Sequence, residues 1–232
     1  GIGAAIAKRL AADGFSVVIN YAGRAADADT VVQEISATGG QAIAVQADVA
    51  KAEDVARLFD AAEAQFGGVD AIVNNAGVMQ PGLVNLADTD DEQFDRLYSI
   101  NVKGTFNTMK LSAIRLRQGG RIVNFSTSVI GLALPGYSVY AATKAAVETM
   151  TNIFAKELRG KEITVNAVAP GPTATDLFLN GKSPEQVAHL SKLAPLERLG
   201  RPEDIAAVVS FLVGPDGGWV NGQTLRANGG MV

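Results

Sequence analysis

Apolar positions along this chain follow two alternating rhythms. Phe15–Tyr21, Ala42–Val49, Val69–Val73, Arg121–Phe125, Ile163–Val168 and Gln223–Ala227 are short runs rich in Val, Ile, Phe and Ala, and they read as strands. Between them lie longer segments of helical composition: Ala4–Asp13, Ala26–Thr38, Glu53–Phe66, Glu92–Gln118, Tyr140–Arg159 and Pro202–Val213. Glycine punctuates the changes at Gly14, Gly39-Gly40 and Gly67-Gly68, and Pro202 sits where a first helical turn lacks an N–H partner anyway. The long stretch Pro170–Leu199 is irregular, with a short helix expected from Pro184. A structureless stretch of that length usually carries function. Regular alternation of strand and helix predicts βαβ units: a doubly wound parallel sheet flanked by helices, in one α/β domain over residues 1–232.

Composition changes this picture little. A chain of 232 residues can bury a large core, and 47% hydrophobic with 19% charged residues is ordinary for a soluble enzyme. A net charge of -4 gives no electrostatic reason to bind nucleic acid. With no cysteine, disulfides and thiolate metal sites are excluded, which fits a reducing, cytoplasmic compartment. His189, the single histidine, cannot form a His-rich metal site and is expected on the solvated helix that Ser183-Pro184-Glu185 opens. No apolar run approaches the ~20 residues of a membrane span.

Candidate chemistry centres on Tyr140-Ala141-Ala142-Thr143-Lys144. At 3.6 residues per turn, Tyr140 and Lys144 share one helical face. An ammonium at about 4 Å, at an effective dielectric of roughly 20, favours the phenolate by about 4 kcal/mol before desolvation. Such a pair is a device for proton transfer near neutral pH, provided its surroundings agree.

They do. Asn74-Asn75-Ala76-Gly77 ends an apolar strand, Asn101 lies within a later helix, Ser126-Thr127-Ser128 ends the next strand, and Pro170-Gly171 ends the one after. Gly1-Ile2-Gly3 opens the first helix. This set, in this order, resembles the short-chain dehydrogenase/reductase family over Gly1 to Val232. A narrower likeness, to ketone reductases of the trihydroxynaphthalene reductase type, rests on Asn20-Tyr21-Ala22, on Asn166 to Pro172 and on Val220-Asn221-Gly222-Gln223 with Asn228-Gly229-Gly230. The resemblance implies a Rossmann-like fold. It also implies that Gly1 and Gly3 close a glycine turn whose first glycine, and a central strand before it, lie upstream of this sequence, which is then expected to be a partial record. It further implies tetramers or dimers formed through the helices around Glu92–Gln118 and Tyr140–Arg159.

The family's roles map onto this chain as follows. Tyr140 is the general acid in ketone reduction and the base in alcohol oxidation. Lys144 lowers the Tyr140 pKa and holds the nicotinamide ribose, and Asn101 anchors a water relay. A hydroxyl of the serine cluster orients the substrate oxygen. Counting back from Tyr140 favours Thr127, and the following Val129-Ile130-Gly131 favours Ser128. Ser128 is the choice carried forward, with Ser126 and Thr127 as alternatives. The cofactor is expected along Gly1, Ile2 and Gly3 for the pyrophosphate, Asp48 and Val49 for adenine, Asn75, Ala76 and Gly77 for the ribose and diphosphate, and Pro170, Gly171, Thr173 and Thr175 for the carboxamide side. Asp48 also fits a plain turn or cap.

No acid follows the second strand of the family pattern, where NAD-specific members bind the 2′-hydroxyl. Asn20, Tyr21 and Arg24 stand there instead and favour NADP(H) over NAD(H), although Arg24 also fits a solvated charge. Met79, Ile130, Leu132, Leu134, Tyr137 and Leu177–Leu179 suggest a partly apolar pocket for a small carbonyl or alcohol. Competing readings are an NAD-dependent alcohol or sugar dehydrogenase, and a catalytically silent member or fragment.

Overall fold

The computed structural model describes residues 1–180 and 182–232, without the side chain of Leu177. Six strands and ten α-helices alternate along these residues. The order is α1 (Ile2–Ala12), β1 (Val17–Tyr21), α2 (Ala25–Ala37), β2 (Ala42–Gln46), α3 (Ala52–Phe66) and β3 (Val69–Asn74). There follow α4 (Asp91–Leu97), α5 (Gly104–Arg115), β4 (Leu116–Phe125), α6 (Val129–Leu132) and α7 (Ser138–Glu157). The chain continues through β5 (Thr164–Pro170), α8 (Asp176–Leu179), α9 (Pro184–Leu193), α10 (Pro202–Val213) and β6 (Thr224–Ala227).

Every strand pairing is parallel, as the alternation predicts. The strands form two sheets: β1 pairs with β2, and β3-β4-β5-β6 make a four-stranded sheet. Both sheets share packing. Val17 of β1 and Ala71 and Val73 of β3 lean on one apolar cluster built from α1, α10, β4 and β5. That cluster holds Ile6, Leu10, Val123, Val168, Ile205, Val209 and Leu212. The opposite face of β4 and β5 buries Ile122 and Val165 against Met109 of α5 and Ala155 and Leu158 at the end of α7. Adjacent residues Ile122 and Val123 thus serve opposite layers, as strand periodicity requires.

Three boundaries depart from expectation. Glu92–Gln118 is not one helix. A π-helical segment at Tyr98–Lys103 separates α4 from α5, and the chain leaves the helix at Leu116 to enter β4 directly. Asn101 sits within that segment and is fully buried. π-Segments inside α-helices often mark functional positions. Second, β4 starts at Leu116 rather than Arg121, and its pairing with β3 shifts register between Val69 and Ala71. Gly119, at φ 77°, takes the left-handed turn that this irregularity needs. Third, β2 stops at Gln46 instead of Val49, because Asp48 Oδ1 accepts the Ala50 N–H at 3.0 Å and folds the chain into a side-chain turn. The Ser183 helix start holds: Ser183 and Gln186 form a reciprocal cap on α9, and His189 is exposed on it. Among the described residues, no helix is long and apolar enough to cross a membrane.

Candidate active site

The site is assembled where β3, β4 and β5 end and α7 begins. Its most constrained member is Asn101. Its side-chain oxygen accepts the Val78 N–H at 2.8 Å, and its Nδ2 donates to the Val78 carbonyl at 2.9 Å and to Thr143 Oγ1 at 3.1 Å. The amide is thereby spent on fixing the chain beyond Gly77 and on tying α7, through Thr143, to the π-segment. One acceptor site of the amide oxygen remains beyond these bonds.

Gly77 shows how closely the parts approach. A Cβ there would lie 3.2 Å from Lys144 Nζ and 3.3 Å from Asn101 Oδ1. Bare backbone, lysine and asparagine therefore share one small space. Lys144 is buried and donates to the Phe125 carbonyl at 3.0 Å. Burial without a carboxylate partner lowers its pKa to about 8.

Tyr140 lies one turn before it on α7. Burial raises the Tyr140 pKa, and hydrogen bonding with the Thr127 side chain acts in the opposite direction. The ammonium is turned to the end of β4, and burial dominates at the phenol.

The four residues leaving β4 each point to a different partner. Phe125 offers its carbonyl to Lys144, and Ser126 donates its hydroxyl to Glu148 Oε1 at 2.5 Å. Thr127 meets Tyr140. Ser128 donates to the Ala169 carbonyl at 3.0 Å and accepts from Asn228 Nδ2 at 3.0 Å. Ser128 is thus occupied by Ala169 and Asn228, whereas Thr127 Oγ1 accepts the Val129 N–H at 3.3 Å and lies within reach of Tyr140.

The remaining residues of the sequence reading fall into two groups. Gly1 caps α1, with open space where its Cβ would stand, while a Cβ on Gly3 would lie 2.6 Å from Asn75 Nδ2. Gly1, Ile2 and Gly3 thus present the start of an 11-residue helix beside Asn75, Ala76 and Gly77, an arrangement that suits an anion. Pro170 and Gly171 end β5, where the Gly171 N–H donates to the Ala227 carbonyl at 3.0 Å. Thr173 Oγ1 donates to the Gly171 carbonyl at 2.9 Å, and Thr175 caps α8. At the other end, Asn20 Nδ2 donates to the Ala47 carbonyl at 2.9 Å. Tyr21 is partly exposed beside it, and Arg24 pairs with Asp27 at 3.1 Å with its side chain 87% exposed. Asp48 is held by its own turn, and Val49 packs against Gly104, where a Cβ would strike Val49 Cγ2 at 2.6 Å. Of the pocket candidates, Met79 lines a cleft between the chain after β3 and α4. Ile130, Leu132 and Tyr137 are partly buried, Leu134 and Leu179 are exposed, and the Leu177 side chain lies outside the described residues.

Sequence reasoning missed a buried polar ladder behind the site. Thr108 Oγ1 donates to Asn74 Oδ1 at 2.7 Å, Asn74 Nδ2 to Asn124 Oδ1 at 2.7 Å, and Asn124 Nδ2 to Thr151 Oγ1 at 2.8 Å. It pins the ends of β3 and β4 to α5 and α7. The signal was Asn124, an amide inside an apolar strand, which must find partners when buried.

Known proteins are similar to this chain in sequence and fold. The family model described as enoyl-(acyl carrier protein) reductase matches residues 1–232. An Arabidopsis thaliana protein named NADPH-dependent aldehyde reductase-like protein, chloroplastic, is 46% identical over 244 residues, covering 100% of this chain and 90% of its own. A short-chain dehydrogenase from Burkholderia cenocepacia J2315, solved in complex with NADP, superimposes with a TM-score of 0.91 at 40% identity, covering 100% of this chain and 93% of its own. A blue fluorescent protein from a metagenomic library, solved in complex with NADPH, gives a TM-score of 0.92 at 36% identity, covering 100% and 94%. With these relatives, the parallel sheet flanked by helices and the residues gathered at its strand ends, the chain belongs to the short-chain dehydrogenase/reductase family.

Proposed function

We propose that this chain is an NADP(H)-dependent reductase of small, partly apolar carbonyl compounds, running in reverse on the matching alcohols. The observation that carries the reading is the convergence of Lys144, Asn101 and bare backbone at Gly77, one helical turn from Tyr140. The relatives named for NADPH or solved with NADP and NADPH support the choice of cofactor.

The residues present fit a dinucleotide. Gly1 leaves the start of α1 open for a pyrophosphate, and Gly3 lets the Asn75 side chain approach the same helix start. Among the described residues the hydrogen-bond partner of Lys144 Nζ is the Phe125 carbonyl, so two of its three N–H groups remain for ribose hydroxyls. Tyr21 and Arg24 stand at the end of β1 for a 2′-phosphate, once Arg24 exchanges Asp27 for it. The cofactor supplies the hydride.

The protein's own part is the oxygen of the substrate. Thr127 Oγ1 donates to it and fixes its position, and Tyr140 Oη delivers the proton as negative charge develops there. A raised Tyr140 pKa keeps the phenol protonated at neutral pH, ready to donate. Lys144 beside it offsets the negative charge left on the phenolate.

The test is a comparison of kcat/KM with NADPH and with NADH across a panel of aliphatic and aromatic aldehydes and ketones. NADPH is expected to win. Equal use, or a preference for NADH, overturns the cofactor assignment, and no turnover with any carbonyl overturns the reaction.

Self-association belongs to the same reading. Phe106 of α5 and Ile153 of α7 are 45% and 50% exposed, and Phe106, Val102 and Met150 edge one apolar hollow. We infer a homodimer or homotetramer through this face. Sedimentation at micromolar concentration showing monomer alone overturns that part.

A further inference from the structure

We propose that Asn228, at the start of the C-terminal turn, is a positioning residue that sets the Thr127 hydroxyl through Ser128. The inference rests on the reading of Thr127 as the group that holds the substrate oxygen.

The side chain of Asn228 is used to its full capacity. Its Nδ2 donates to Ser128 Oγ at 3.0 Å and to the Val232 carbonyl at 3.3 Å. Its Oδ1 accepts the N–H groups of Gly230 at 3.0 Å and Met231 at 3.2 Å. Two donors and two acceptor sites are all that an amide has. Two of these bonds, to Gly230 and Met231, close a turn with positive φ at Gly229 and Gly230. The bond to Ser128 has no part in that turn. It crosses 100 positions of sequence to reach the residue after Thr127.

Ser128 has little freedom once held. Its hydroxyl donates to the Ala169 carbonyl at 3.0 Å, so the bond from Asn228 fills its acceptor side and fixes its rotamer. Its N–H donates to the Pro170 carbonyl at 3.0 Å. Ser126, on the other side of Thr127, is held by Val168 through its N–H and by Glu148 through its hydroxyl. Thr127 is therefore clamped from both flanks, and Asn228 supplies the outer clamp. The same residue abuts the other half of the site, since a Cβ on Gly171 would lie 2.8 Å from Asn228 Cα. Asn228 thus fixes the spacing between the hydroxyl that receives the substrate and the turn assigned to the nicotinamide side. A misplacement of about 1 Å in such a constellation costs about a hundredfold in rate.

Asn228→Asp separates the two duties. A carboxylate keeps the acceptors for Gly230 and Met231 but loses the donor to Ser128, so the turn is retained while the Ser128 hydroxyl is drawn away from Ala169. The experiment measures kcat, KM and NADPH affinity for Asn228→Asp, Ser128→Ala, Thr127→Ala and the Asn228→Asp/Thr127→Ala double variant, using the carbonyl of the panel that is reduced fastest. Asn228→Asp and Ser128→Ala are expected to lower kcat by about ten- to a hundredfold, with NADPH affinity changed by less than about twofold. On the Thr127→Ala background, Asn228→Asp is expected to lower kcat by less than about twofold further, because no hydroxyl is left to position. A loss of equal size in both backgrounds identifies a general structural role and overturns the proposal, as does an unchanged kcat in Ser128→Ala. Should Asn228→Asp fail to fold, Ser128→Ala with and without Thr127→Ala makes the same comparison. Tyr140→Phe, run in parallel, reports on the reaction itself: if it stays active the proposed chemistry fails, whatever Asn228 does.

Discussion

The two halves of the site are held to different degrees. Nearly all of β5 and the C-terminal half of β4 are buried, and Ile122, Asn124, Val165, Asn166, Ala167 and Val168 are wholly so. β1 and β3 both keep partial exposure along their length, so the difference lies in the groups at the strand ends and not in the sheets. The proton-transfer groups form the closed half, held by the Asn101 and Asn124 hydrogen bonds. The groups assigned to the nucleotide phosphate form the open half, where Arg24 is nearly bare and pairs with Asp27. The contrast teaches that one end of the site is organised before ligand arrives, while the other is left for the ligand to order. Preorganisation matters most where charge develops in the reaction, and least where a flexible cation meets a phosphate.

The largest effect expected from breaking the closed half is chemical. Tyr140→Phe keeps the ring and removes the proton donor, so kcat should fall by about 10²–10⁴-fold while NADPH affinity holds. Near wild-type turnover in steady-state assays would contradict the assignment.

The comparison is tested most squarely by two asparagines. Asn101→Ala takes their partner from the Val78 N–H and carbonyl in a buried place, at about 1–3 kcal/mol per orphaned group, while Thr143 keeps its bond to the Tyr140 carbonyl. Asn20→Ala removes one good hydrogen bond in a half-exposed strand, and about 1 kcal/mol or less is expected. Urea unfolding of both variants checks this. Similar losses would show that the two halves of the site do not differ as described.

Lys144 is predicted to cost stability where it serves function. Burial lowers its pKa from 10.5 to about 8, so the folded state holds the proton less well than the unfolded state. The penalty is fully present below about pH 8 and fades as pH rises toward 10.5. Lowering from 10.5 to about 8 corresponds to about 3 kcal/mol. Lys144→Met should therefore raise the unfolding free energy by up to about 3 kcal/mol at pH 7, and by less than about 1 kcal/mol at pH 10, while losing activity. A destabilised variant at pH 7 would show that the lysine's bond to Phe125 outweighs its burial.

The effect expected on cofactor binding belongs to the open half. Arg24→Ala should weaken NADPH by about tenfold, near 1.4 kcal/mol, and leave NADH almost unchanged. Equal weakening of both cofactors would remove Arg24 from phosphate recognition.

What could be read in advance follows the same division. Strand and helix rhythm reported the parallel α/β order, because burial imposes period 2 or 3.6 on whatever residues are used. The Tyr140–Lys144 spacing, the Gly77 strand end and Asn101 were visible because helical geometry and local turns put them there. The choice among Ser126, Thr127 and Ser128 was not, because it turns on Ala169, Glu148 and Asn228, which are remote in sequence. The break in the expected Glu92–Gln118 helix was hidden for the same reason. Asn101 is held by Val78, 23 positions earlier, and nothing local announces that bond. Arg24 gave the opposite difficulty: its residue type was plain, but exposed side chains take their partner from what binds.

One measurement reaches the central claim without relying on any substitution. The purified protein is incubated with NADPH carrying deuterium at both positions of nicotinamide C4 and with the carbonyl it reduces fastest, and the alcohol is examined by mass spectrometry and NMR. The account predicts one deuterium on the former carbonyl carbon and none on the oxygen after exchange with water. An alcohol formed without deuterium at that carbon would contradict it.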